Sequence, residues 1–132
     1  MARFGTAEPE LVPGTFVDPA LSETQSDQLF RVRMADGSPA YVYCLVEHKS
    51  WPDGRVAEQL LRYLTRIWSK MAQKKPRPPL LPPIVPLVVY HGARPWPGPR
   101  RFSERLDAGD ELRRMVLDFP YFVFDVGAVR SR

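Results

Sequence analysis

The 132-residue sequence predicts one mixed α/β domain. Three observations carry that expectation. Fifteen prolines, about twice an average share of about 5%, exclude an all-helical bundle and require stiff connections between elements. Two β-rich runs flank an Asp-Gly turn, the pattern of a hairpin. A long amphipathic run then precedes a proline-rich stretch and a continuous apolar run of strand length. The length suits a single domain rather than two.

Taken in order, residues 1–14 contain Gly5, Pro9, Pro13 and Gly14 with little apolar periodicity, and are expected to form a loose lead-in. Thr15-Phe16-Val17 is expected as a short strand stopped by Asp18-Pro19. The hairpin follows, as ETQSDQLFRVRM, the turn ADGSP and AYVYCLVEHKS. If Asp36-Gly37-Ser38 is a three-residue loop, Ala35 pairs with Pro39, Phe30 faces Cys44 and Val32 faces Val42. Phe30, Val32, Met34, Val42, Cys44 and Val46 then share one apolar face. Asp27, Leu29, Arg31, Tyr43, Leu45, Glu47 and Lys49 share the other. A two-residue loop would split the apolar face, so the three-residue register is preferred, and it sets Asp27 directly opposite Glu47.

Trp51-Pro52-Asp53-Gly54 reads as a loop, with Asp53 as a helix cap. RVAEQLLRYLTRIWSKMAQKK carries Val56, Leu60, Leu64, Ile67 and Met71 at helical spacing and gathers cations at its end, so it predicts a helix. The prolines of residues 76–83 impose an extended linker. Ile84 to Tyr90 is the apolar run of a strand covered on both faces; because Pro86 has no N–H, regular pairing is expected from Leu87. Residues 93–101 read as loop, Ser103 to Met115 as partly helical, and Tyr121 to Val126 as a last strand.

Composition narrows the class of protein. A single cysteine, Cys44, excludes a disulfide scaffold or a cysteine-rich zinc site and fits a reducing cytoplasm. No run of about 18 apolar residues suggests a membrane span, and the first ten residues lack the apolar core of a signal peptide. The formal charge of +4 is uneven: residues 1–60 hold five Lys/Arg against nine Asp/Glu, and residues 61–132 hold fourteen against six. Fifteen of the nineteen cations are Arg, whose rigid fork suits phosphate oxygens, although a solvated basic surface gives the same count.

Chemistry is concentrated in the hairpin. Asp27, Glu47 and Lys49 lie on one face, with Glu47 and Lys49 two residues apart on one strand. Two carboxylates from adjacent strands make a hard oxygen site for Mg²⁺, and a lysine beside them suits a metal-bound water or a phosphate. That set suits phosphodiester hydrolysis; the plainer reading is a cross-strand charge cluster on a solvated face. Glu47 ends a strand of buried character, where a charge needs a reason. The helix that follows carries Gln59 and Tyr63, an i, i+4 pair.

An Asp, then E-x-K on the next strand, then Q-x-x-x-Y on a helix resembles the PD-(D/E)XK nuclease superfamily. More closely, SDQLFRVRMADG, YVYCLVEHKS, AEQLLRYLTRIW, LPPIVPLVVYHGARPW and FPYFVFDV resemble, in order, the Rpn recombination-promoting nucleases, or YhgA-like putative transposases. The resemblance spans Phe16 to Val126. It implies a restriction-endonuclease-like core and a DNA endonuclease dependent on Mg²⁺ or Mn²⁺. By motif, it implies Asp27 and Glu47 as metal ligands joined by the backbone carbonyl of His48, and Lys49 as the lysine of E-x-K. Gln59 and Tyr63 are expected to line the site, although Tyr63 suits core packing equally well. Arg62 and Arg66 on the same helix are expected to meet DNA. The alternative is a catalytically inactive family remnant that binds DNA or a protein partner.

The resemblance also implies a first core helix before the short strand, and none is visible here. The domain is therefore expected to be incomplete, with an apolar patch around Phe30, Val32, Val42 and Val46 that leaves a homo-oligomer open. Lesser candidates are His48 and His91 as packed or rim histidines, Trp51 and Trp96 as base-stacking or edge-covering rings, and Cys44 as an inert thiol.

Overall fold

The computed structural model describes residues 4–13, 21–48, 55–77 and 79–127. It is a mixed α/β fold: a five-stranded sheet with one α-helix among the described residues, consistent with a restriction-endonuclease-like core. The strands are β1 (Glu10–Leu11), β2 (Gln25–Arg33), β3 (Pro39–Glu47), β4 (Ile84–Tyr90) and β5 (Phe122–Asp125), and they lie in that order across the sheet. β1, β2 and β3 pair antiparallel, whereas β3, β4 and β5 pair parallel. The helix α1 (Val56–Ala72) provides the crossover from β3 to β4.

The hairpin keeps a three-residue loop but not the expected register. Met34 donates its N–H to Ser38 O at 2.8 Å, so the loop is Ala35-Asp36-Gly37. The third residue of such a loop turns left-handed, and Gly37 at φ +88° supplies that conformation without a Cβ penalty. The expected loop would have forced Ser38 into that position. Every pair therefore moves by two: Phe30 faces Val42, Asp27 faces Leu45, and Gln25 rather than Asp27 faces Glu47. A shift of two preserves both faces, so the division into an apolar side and a side bearing Asp27 and Glu47 stands.

α1 packs on the side of Leu29, Tyr43, Leu45 and Val88. Its buried residues include Val56, Leu60, Leu64, Ile67 and Met71, together with Ala57 and Tyr63. Full burial of Leu60 and Ile67 contributes about 1.5–3 kcal/mol each. Lys70 in the last turn complements the helix dipole. The linker is tied back by the Trp68 indole, which donates to Pro82 O at 2.7 Å.

Pairing of β4 with β3 begins at Ile84, not at Leu87. Tyr41 N–H donates to Pro83 O, and His91 N–H donates to Glu47 O, so the odd-numbered residues of β4 bond toward β3. Pro86 therefore turns its nitrogen toward β5, whose ladder starts only at Leu87, and no donor is missed. Two other expectations change. Part of the lead-in is ordered as β1, with Glu10 opposite Arg31 and Leu11 opposite Phe30. The partly helical stretch reduces to a 3₁₀ turn at Phe102–Arg105 and hydrogen-bonded turns near Leu112. The expected strand at 15–17, the loop at 51–54 and the Asp53 cap lie outside the described residues.

Candidate functional site

Glu47 is the buried charged side chain among the described residues, 3% exposed at the end of β3. A carboxylate withdrawn from water requires partners. Gln25, directly across the hairpin, donates its amide to Glu47 Oε2 at 2.8 Å. The same amide group meets Gln59 of α1 reciprocally: Gln25 Nε2 donates to Gln59 Oε1, and Gln59 Nε2 to Gln25 Oε1, both at 2.8 Å. Gln59 also donates to the Tyr63 hydroxyl at 3.2 Å. The Tyr63 ring lies 5.6 Å from that of Tyr43, and Tyr43 OH donates to Asp27 Oδ2 at 2.5 Å. Two glutamines and two tyrosines thus link the two carboxylates beneath α1.

Asp27 and Glu47 lie on one face of adjacent strands, one diagonal step apart, within reach of long side chains. A cavity of about 290 Å³ opens beside Glu47, with Gln25 and Gln59 in its wall and Arg55 and Arg62 at its rim. The Arg62 guanidinium lies 5.2 Å over the Tyr63 ring, a cation–π contact. At the same rim Glu58 pairs with Arg105 at 2.7 Å, and that guanidinium holds the Glu58 carboxyl below its usual range.

Asp27 and Glu47 present carboxylate oxygens on one face that could contribute to a site for a small hard cation. Mg²⁺ takes one or two carboxylates and keeps several waters, and the cavity leaves room for water beside Glu47. Among the described residues no group of three or more His, Cys, Asp or Glu could hold a metal ion.

The structure brings Glu47, Gln59, Tyr63 and Arg62 together around the cavity or its wall. Asp27 shares their face but does not line the cavity, and Arg66 is exposed one turn beyond Arg62. Tyr63 both packs in the core and joins the polar network. Lys49 and Trp51 lie outside the described residues. His48 is exposed, its N–H bonded to Thr24 O at 2.9 Å. Trp96 covers rather than stacks outward: it is 8% exposed, edge-on to Tyr90 at 5.1 Å, with its backbone N–H donating to Asp125 Oδ2 at 2.9 Å and its indole N–H to Pro99 O at 3.3 Å. Burial, followed by the nearby Asp27 charge, pushes the Cys44 thiol up, which disfavours the reactive thiolate. Gln25 is the residue that sequence reasoning missed. The signal was Gly37, whose left-handed φ fixes the register that sets Gln25 against Glu47.

The family described as "Putative transposase, YhgA-like" matches residues 2–132. The inactive recombination-promoting nuclease-like protein RpnE of Escherichia coli K12 is 31% identical over 121 residues, covering 90% of this chain and 39% of that protein. The recombination-promoting nuclease RpnA of the same strain is 35% identical over 89 residues, covering 67% and 30%. RpnC, also from that strain and also named a recombination-promoting nuclease, is 30% identical over 117 residues, covering 88% and 38%. The chain thus spans between three and four tenths of the length of these relatives. No solved structure matches.

Proposed function

Because this chain belongs to the YhgA-like putative transposase family, we propose that it is the nuclease portion of a recombination-promoting nuclease, a PD-(D/E)XK endonuclease that hydrolyses DNA phosphodiester bonds. The observation that carries the reading is a buried carboxylate, Glu47, on the same sheet face as Asp27 and beside an arginine-rimmed cavity. Relatives named as recombination-promoting nucleases support it.

Asp27 and Glu47 would hold Mg²⁺ or Mn²⁺, with the His48 carbonyl as a further oxygen donor. When bound, the ion supplies charge neutralisation at the phosphate and a more acidic water. The chain's own residues set the geometry. Gln25 fixes the Glu47 carboxylate from across the hairpin, and Gln59 fixes Gln25 from the helix. Tyr43 holds one oxygen of Asp27. Arg55 and Arg62 offer guanidinium forks toward the sugar–phosphate backbone, with Arg66 extending the same helix surface. Lys49 would position the attacking water. We place the activity in the cytoplasm, where its DNA substrate lies; no helix among the described residues is long and apolar enough to cross a membrane.

The second reading is a remnant that binds DNA or a protein partner without cutting. It is favoured by the inactive relative, which matches 90% of this chain. A plasmid-nicking assay with Mg²⁺ separates the two. Conversion of supercoiled to open-circular DNA by the wild type, abolished by Asp27→Ala and by Lys49→Ala, is the expected result. If wild type and both variants behave alike, the catalytic reading is wrong.

A further inference from the structure

The parallel strands β3 and β4 run side by side past their last regular pair, Glu47 with Tyr90. Continuing that register sets His48 opposite His91. Both imidazoles are exposed, and their ring centroids lie 5.4 Å apart with 43° between the planes. The backbone beneath them is fixed on both strands. His91 N–H donates to Glu47 O at 2.8 Å, and His48 N–H to Thr24 O at 2.9 Å. Side chains alternate along a strand, so this pair belongs to the face away from Glu47 and Tyr90.

Two imidazoles held side by side at neighbouring strand ends can supply two ligands of a transition-metal site. A Zn–N bond of about 2.0–2.1 Å, added to about 1.1 Å from ring nitrogen to ring centre, places two imidazoles on one tetrahedral ion about 5 Å apart, centroid to centroid. The observed 5.4 Å is close to that separation. Borderline cations such as Zn²⁺ or Ni²⁺ prefer imidazole, whereas Mg²⁺ prefers the carboxylate oxygens on the opposite face. Among the described residues no third His, Cys, Asp or Glu completes the pair as a metal cluster.

We propose that His48 and His91 form a second cation site, selective for Zn²⁺ or a similar borderline ion, on the sheet face opposite the carboxylate site. The two sites share the end of β3 and differ in ligand chemistry. This inference does not depend on whether the chain cuts DNA.

Titration of the metal-free full chain with Zn²⁺ in excess Mg²⁺, followed calorimetrically, tests it. The wild type is expected to bind one equivalent. His48→Ala and His91→Ala should each weaken binding at least tenfold, whereas Asp27→Asn should leave it within twofold. Because both imidazoles are exposed, unchanged far-ultraviolet circular dichroism is expected for both variants. Should either variant lose structure, protection of the wild-type imidazoles from diethylpyrocarbonate by Zn²⁺ gives the same answer without substitution. Absence of wild-type binding would overturn the proposal. So would binding that survives both histidine substitutions or is lost with Asp27, and so would imidazoles that Zn²⁺ leaves unprotected.

Discussion

On the face of the sheet beneath α1, Leu29, Tyr43, Leu45 and Val88 are buried against Leu60 and Ile67, whereas on the opposite face Phe122 and Phe124 remain 67% and 50% exposed. The covered face combines the main hydrophobic core with Glu47, the one buried charge among the described residues. The open face presents Val42, Cys44 and Val46, their neighbours Val85, Leu87 and Val89, and the two phenylalanines, with no charged side chain contributed by β2 to β5. No helix among the described residues packs on it; Pro9 lines a shallow hollow with Phe30, Val32 and Val42. Apolar surface alone therefore does not mark the site. Polar groups placed inside the covered layer do, because a low-dielectric setting makes each hydrogen bond to a carboxylate matter more.

Substitutions on the two faces should separate sharply. Leu60→Ala removes a fully buried side chain from the covered face and is expected to cost about 2–5 kcal/mol in urea unfolding. Next in size is Gly92→Ala. A Cβ there would lie 2.0 Å from the Tyr90 hydroxyl, so the ring that backs Glu47 and Trp96 must move, at about 1–3 kcal/mol. On the open face, Phe122→Ser should change stability by only about 0.5 kcal/mol while reducing binding of an apolar dye such as ANS. A large loss of stability from Phe122→Ser would show that this face is covered in solution.

A pH response is also expected at the rim of the core. Tyr121 is buried with its hydroxyl on Pro99 O, and burial, reinforced by Glu104 and Glu58, pushes its pKa up to about 12. Its contribution is fully present below about pH 10 and is lost as pH rises through about 12. Thermal unfolding of Tyr121→Phe should therefore fall less steeply than wild type between those values. Parallel slopes would contradict this assignment.

Much of this architecture is legible in the residues. The i, i+4 apolar spacing of Val56, Leu60 and Leu64 marks α1, and the run Ile84 to Tyr90 coincides with β4. The face shared by Phe30, Val32, Val42 and Val46 was legible too, although these four are half-buried and the exposed rings on it are Phe122 and Phe124. Register was less so, because alternation is blind to a shift of two residues. Only the left-handed requirement at Gly37 separates the observed pairing from its neighbour. The reciprocal amide pair of Gln25 and Gln59 was not legible, since it joins positions 34 residues apart through a helix whose rotation over the sheet is set by packing.

Glu47 offers the most direct test of the central claim that the buried carboxylate serves the reaction rather than the fold. Glu47→Gln keeps the shape and an oxygen for the Gln25 amide while removing the charge, so plasmid nicking and urea unfolding are to be measured on the same preparation. Loss of nicking with stability unchanged or raised is the predicted result, because a buried charge stabilises a fold weakly at best. A variant that still nicks DNA and has lost stability would contradict it.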